Sequence, residues 1–178
     1  MMNWRGAMLD ISRHYFDAEF IQKTISSLAI FDYNTVHLHL TDDQGWRLES
    51  KVFPLLHEVG SIRKHSQNNH GQLEATFDGI EHAGYLTHKD VQEIIGHANS
   101  LGIQVVPEIN IPGHTGALLA AYPQFGINQS PVEVSGRWGI SDYLLRPFPE
   151  TFEFLEKVFQ EVAQLFPSDY IHVGGDES

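Results

Sequence analysis

The sequence predicts an α/β protein: a parallel (β/α)8 barrel of the TIM type, of which the chain supplies about the first half. Two observations carry that reading. Strand-like and helix-like segments alternate in the order β-α-β-α-β-α-β, which calls for a parallel sheet with crossover helices. Polar and charged residues also stand at or just past the C-terminal end of each expected strand: Asp10 and Arg13, Asp42 and Asp43, Glu108, Asn110 and His114, then Asp176 and Glu177. In a barrel those ends share one mouth, where active sites are built. In a small doubly wound sheet the ligand crevice forms mainly where strand order reverses, so chemistry after all four strands is less expected. A complete barrel takes roughly 250 residues and the chain has 178. The expectation is therefore one partial domain, residues 1–178, ending after the fourth strand.

Each element has a local cause. Residues 7–12 (AMLDIS) read as a short first strand. Asp17 is placed to cap a helix whose apolar Ile21, Ile25 and Leu28 recur at helical spacing. In NTVHLHLTDD, Val36, Leu38 and Leu40 alternate with Thr35, His37, His39 and Thr41, and a period of two means a strand. A long polar stretch follows, from about Asp43 to Leu86. Thr87 and Asp90 then form a capping-box pattern, Val91, Ile94, Ile95, Ala98 and Leu101 make one stripe, and Gly102 is placed to end the helix. IQVVPEI is a β-branched strand, and TGALLAAY reads as a short helix. The last helix carries a stripe of Phe152, Leu155, Phe159, Val162 and Phe166, expected to be core, and YIHVGG is the fourth strand.

Bulk composition narrows the function. The chain has 11 Lys and Arg against 23 Asp and Glu, a formal charge of −12, which argues against nucleic acid or an anionic membrane surface as partner. The sequence has no long uninterrupted apolar run and no basic start followed by an apolar segment, so neither a membrane span nor a signal peptide is expected. Without cysteine, a disulfide framework and a thiolate metal site are both excluded.

The ending HVGGDE is the most unusual stretch. Consecutive strand side chains point to opposite faces, so Asp176 and Glu177 serve one site only if the backbone leaves the strand there. Gly174 and Gly175 permit that departure. Taken alone, the pair fits a solvated turn; beside three other polar strand ends it points to a site. Paired carboxylates at a barrel mouth suggest glycoside hydrolysis, yet ordinary retaining enzymes hold the pair roughly 5 Å apart across the sugar and inverting enzymes farther. Sequence neighbours on one loop cannot easily straddle a ring. One carboxyl could be the general acid and base while its neighbour orients a nucleophile belonging to the substrate.

WRGAMLDISRHYF, HLHLTDDQGWRLE, GYLTHKDVQEIIGHA, VVPEINIPGHTGALLAAYP, RWGIS and LFPSDYIHVGGDE together resemble the successive motifs of family-20 glycoside hydrolases, the β-N-acetylhexosaminidases. That family is itself a named substrate-assisted exception to the two-carboxylate rule. The resemblance implies hydrolysis of terminal non-reducing β-linked N-acetylhexosamine (GlcNAc or GalNAc), with retention, without a cofactor or metal, on a carbohydrate partner such as an oligosaccharide, glycoconjugate or chitin fragment. It implies Glu177 as general acid and then base, and Asp176 as the residue that orients the 2-acetamido group. It implies Arg13 as a grip on sugar hydroxyls, with Asp42 and His114 as a network supporting Glu177. Asn110 stands where many members carry Asp, so the tuning of Glu177 through His114 is expected to differ. The family's later Tyr and Trp residues around the sugar are not in these 178 residues, so the isolated chain is expected to be weakly active or inactive. Its open half would invite self-association.

Two other readings compete. One is a metal-dependent barrel hydrolase using His37, His39 and His114, weighed against hydrogen-bonded core histidines. The other is a catalytically silent sugar-binding fragment. His57, His65, His70 and His82 are expected to be solvated, and His172 to be a satisfied interior residue. Trp46 and Trp138 could line a sugar site or pin their loops.

Overall fold

The structure is a computed structural model that describes residues 3–69 and 74–177; His70 lies outside them. In chain order the elements are β1 (Gly6–Asp10), α1 (Ala18–Ile30), β2 (Thr35–His39), β3 (Thr41–Asp42), β4 (Gly45–Trp46), α2 (Leu55–Glu58), β5 (Ile62–Arg63), β6 (His82–Ala83), α3 (His88–Ser100), β7 (Gln104–Ile111), α4 (Gly116–Ala121), α5 (Pro149–Leu165) and β8 (His172–Gly174). The main sheet is parallel throughout, in the order β1-β2-β7-β8. Strands adjacent in space are consecutive long-range strands in sequence, as in a barrel wall. Among the described residues the outer edges of β1 and β8 are unpaired. No helix among them is long and apolar enough to cross a membrane.

The register places chemistry in one row. Asp10 pairs with His39, His39 with Glu108, and Glu108 with His172. On β2, Val36 and Leu38, with Leu40 just beyond, are fully buried and join a cluster with Ile21 and Ile25 of α1 and Val91, Ile94 and Ala98 of α3. The opposite face is largely covered, since Thr35, His39 and Thr41 are buried and His37 partly so. This central strand is therefore packed on one side and largely covered on the other, as strands of an α/β wall are.

Local signals act as expected at most boundaries. Asp17 accepts the Phe20 N–H at the start of α1, and Thr87 and Asp90 close a reciprocal capping box on α3. Gly102, at φ +71°, ends α3 in the left-handed conformation.

Four expectations are corrected. The first strand stops at Asp10 because Asp10 Oδ1 accepts the N–H groups of Ser12 and Arg13, turning the chain out of the ladder. The stretch from Asp43 to Leu86 is not a plain polar loop: it buries Trp46, Leu48, Leu56 and Leu86. Its tie is Arg47, fully buried, which donates to the carbonyls of Ser12, Ser61 and Gly84. On α5 the buried face is Thr151, Phe154, Leu155, Val158 and Val162, and Phe152 is 60% exposed. On α3, Leu101 is the exposed capping residue rather than part of the buried stripe.

Candidate active site

The site is assembled from the ends of all four main strands. The turn after β1 folds the Arg13 guanidinium back over the sheet. Its Nη1 lies 2.9 Å from Asp10 Oδ2 and its Nη2 2.7 Å from Asp42 Oδ2, while Nε donates to Gln44 Oε1 at 3.1 Å. His39 sits between Glu108 (Nδ1, 2.8 Å) and Asp42 (Nε2, 2.7 Å). Burial works against a charge on His39, but the bonds to Asp42 and Glu108 outweigh it and raise its pKa to about 9. Burial alone would raise Glu108, yet the His37 and His39 bonds hold it well below the usual carboxylate range.

His114 connects this foundation to the acid pair. It follows β7 at φ +54°, a conformation that a non-glycine residue adopts only when its surroundings hold it. Nδ1 lies 3.1 Å from Asp42 Oδ1 and 3.4 Å from Asp43 Oδ2, but off line for a hydrogen bond, so the attraction there is electrostatic. Nε2 lies 3.0 Å from Glu177 Oε2 and 3.4 Å from Asp176 Oδ2. Burial opposes protonation of His114, and the surrounding carboxylates overcome it, so its pKa is raised.

The corner after β8 sets the two acids. Gly174 and Gly175 have φ of +73° and +85°, and Glu177 has φ +54°. A Cβ at Gly174 would lie 1.7 Å from Asn110 Oδ1, so glycine is required there by space as well as by backbone angle. The corner turns both Asp176 and Glu177 toward His114. Their side chains are 54% and 47% exposed, against 0% for Asp42.

Arg13, Gln44, His114, Trp138, Asp176 and Glu177 line one cleft of about 360 Å³. The Arg13 guanidinium lies 5.4 Å from the Trp138 ring centroid. Trp138 belongs to a strap tied down by Asp43, whose backbone carbonyl accepts from Ser135 N and whose Oδ2 accepts from Ser141 Oγ. Gln44 Nε2 adds a bond to Arg137 O. A somewhat larger opening, about 430 Å³, is lined by Lys51, His88, Lys157 and Glu161. It lacks converging acids, because Glu161 is engaged by Ser50 Oγ and Lys51 N.

The sequence profile of the glycosyl hydrolase family 20 catalytic domain matches residues 2–178. The chain belongs to glycosyl hydrolase family 20. A β-hexosaminidase of Akkermansia muciniphila is 40% identical over 177 residues, covering 98% of this chain and 34% of that protein. The crystal structure of a β-N-acetylhexosaminidase superposes with a TM-score of 0.91 at 40% identity, covering 99% of this chain and 36% of the other. A mutant Streptomyces plicatus β-hexosaminidase in complex with the product GlcNAc superposes at 0.85 and 35% identity, covering 99% and 33%. The chain thus spans about a third of the length of these relatives, and the parallel four-stranded sheet is the corresponding part of the family-20 barrel.

All five residues singled out from the sequence meet in this family-20 cleft or directly beneath it: Arg13, Asp42, His114, Asp176 and Glu177. The three histidines of the metal reading do not converge on one point. His37 and His39 both serve Glu108, and His114 faces the carboxylates. Among the described residues the groups spaced to hold an ion are His37 with Glu108 and His172, Asp42 with Asp43 and His114, and His114 with Asp176 and Glu177. The histidine trio is not one of them.

Further corrections concern single residues. His172 is 49% exposed rather than interior, its ring tilted against that of His37 at the open side of β8. His82 is half-buried and accepts the Tyr15 N–H; burial first, then Arg63 and Arg47, lower its pKa to about 4. His57 accepts the Ser50 N–H and His65 packs on Phe77, so neither is simply solvated. Trp46 pins its loop through Leu48 O, whereas Trp138 lines the cleft. Asn110 Nδ2 donates to Asp176 Oδ1, a contact the sequence did not announce. Gln44 and Arg47 went unread in the sequence, because a loop amide and a lone arginine carry no signal until their acceptors are known.

Proposed function

We propose that the chain carries the catalytic acid and the orienting carboxylate of a β-N-acetylhexosaminidase. Such an enzyme hydrolyses terminal, non-reducing β-linked GlcNAc or GalNAc with retention, using the substrate's own acetamido group as nucleophile. One observation carries the reading: two sequence-adjacent carboxylates turn to the same side of a glycine corner, and one imidazole touches both. Neighbours so placed cannot flank a sugar ring as an acid and a protein nucleophile do. The pair instead suits an acid beside an orienting group. The relative that holds GlcNAc supports a carbohydrate of this class as the substrate.

The contacts support a role for each residue. Glu177 protonates the leaving glycosidic oxygen and afterwards takes a proton from the attacking water. His114, with raised proton affinity and its Nε2 3.0 Å away, stabilises the carboxylate that this step leaves behind. Asp176 accepts the acetamido N–H, aims the carbonyl oxygen at the anomeric carbon and balances the positive charge of the cyclic intermediate. Arg13, held by Asp10, Asp42 and Gln44, presents guanidinium N–H groups to the sugar hydroxyls, and Trp138 offers a face to the ring.

The test is turnover of a chromogenic β-N-acetylglucosaminide by the 178-residue chain, together with binding of a thiazoline mimic of the intermediate. Both acids are about half exposed and water screens them, so turnover is expected to be weak and binding the more sensitive readout. The expected result is thiazoline binding lost in Asp176→Ala, and any turnover lost in Glu177→Gln. Turnover that survives Glu177→Gln, or no thiazoline binding by the unmodified chain, would overturn the assignment. Binding with no turnover at all would favour a silent sugar-binding unit.

A further inference from the structure

We propose that Asn110 is a positioning residue for Asp176, setting the orientation of that carboxylate with an amide that has no proton to lose, so that the setting does not change with pH. Asn110 is 2% exposed on β7, and its backbone N–H is anchored to Thr41 Oγ1 at 3.0 Å. Its Nδ2 donates to Asp176 Oδ1 at 2.9 Å. Its Oδ1 is buried without a hydrogen-bond partner, pressed against Gly174. A buried acceptor left without a donor is unfavourable, yet flipping the amide would set two oxygens face to face at Asp176. The amide is thus committed to the carboxylate on one side and moulds the glycine corner on the other.

The remaining groups that face Asp176 are few. From the β7–α4 connection His114 Nε2 lies 3.4 Å from Oδ2, Glu177 is its sequence neighbour, and Arg13 is on the wall of the same cleft. With Oδ1 occupied by Asn110, Oδ2 is the oxygen left for a ligand N–H. An aspartate at position 110 would mimic the amide while protonated. Once ionised it would set a second anion at hydrogen-bond distance, and two such carboxyls do not both ionise freely. A side chain that merely filled space beside Gly174 would show no such pH dependence.

The experiment compares the unmodified chain with N110D and N110A. Thermal unfolding should show N110D close to the unmodified chain at pH 4.5, its deficit widening steadily to pH 8, while N110A loses the same amount at both. In NMR, one side-chain amide proton of Asn110 should shift markedly on Asp176→Ala. These two readouts do not depend on catalysis. The consequence for turnover rests on the glycosidase reading: the kcat of N110D relative to the unmodified chain should fall by about tenfold between pH 5 and 8, with KM changing by less than about twofold. A deficit of N110D that is the same at every pH, or an Asn110 amide indifferent to Asp176→Ala, overturns the proposal. If the unmodified chain neither binds nor cleaves the sugar while both physical readouts behave as stated, the glycosidase reading fails and the positioning role stands.

Discussion

Two pairs of adjacent carboxylates meet His114 from opposite sides, and they differ in almost everything else. Asp42 and Asp43 approach Nδ1, are buried, and use their oxygens on named partners: Arg13, His39 and the Asp43 N–H for Asp42, the Gly116 N–H and Ser141 hydroxyl for Asp43. Asp176 and Glu177 approach Nε2, are about half exposed, and keep oxygens free toward the cleft. The first pair is a foundation, whose charge is matched inside the protein. Burial raises the pKa of Asp43 even so. The second pair can act because the fold holds one oxygen of each acid, Asp176 Oδ1 by Asn110 and Glu177 Oε2 by His114, and leaves the rest of each carboxylate toward the cleft. The same residue chemistry becomes scaffold or reagent according to what surrounds it.

Breaking the exposed pair should separate activity from stability most sharply. Glu177→Gln is expected to lower any turnover by roughly 10³-fold, about 4 kcal/mol in barrier, while chemical denaturation shifts by less than about 0.5 kcal/mol. Breaking the buried pair should cost stability as well, because Asp42 holds Arg13 and His39. Asp42→Ala strands Arg13 and His39 without their shared partner and is expected to cost about 3 kcal/mol of folding stability, read as a lower urea midpoint. The corner between them can be broken without touching either pair: Gly174→Ala forces a Cβ into Asn110 and a side chain into positive φ, for about 2 kcal/mol and loss of thiazoline binding.

A pH series sharpens the comparison further. His39 is held charged by the buried partners, with its pKa raised from 6.5 to about 9. Its contribution to stability is therefore complete below about 6.5 and lost as pH rises through about 9. The gap in unfolding temperature between the unmodified chain and His39→Gln should narrow by a few degrees across that window. A constant gap would mean that His39 acts as a neutral hydrogen-bonding spacer.

The readability of the site followed the range of its interactions. Asp17 and the Thr87–Asp90 box act within one turn of their own helices, and their spacing alone announced them. The glycine pair before Asp176 was legible because backbone permission is a local property. Arg47, by contrast, reaches the carbonyls of Ser12, Ser61 and Gly84, acceptors far apart in the chain that every residue possesses. Phe152 missed the core because helical periodicity gives a face but not the neighbour that covers it.

By itself the sequence determined the alternation of strands and helices, the strand ends that carry acid and imidazole groups, and the motifs that place the chain in its family. Those are matters of local conformation and residue type. Only the tertiary structure decided that one carboxylate pair is buried and the other open, that Asn110 grips Asp176, and that His37 and His39 converge on Glu108 rather than on His114. The reason is physical: burial and hydrogen-bond partnership depend on segments brought together from different parts of the chain, as Asn110 and Asp176, 66 residues apart, are, and no local pattern encodes which of two like groups will be covered.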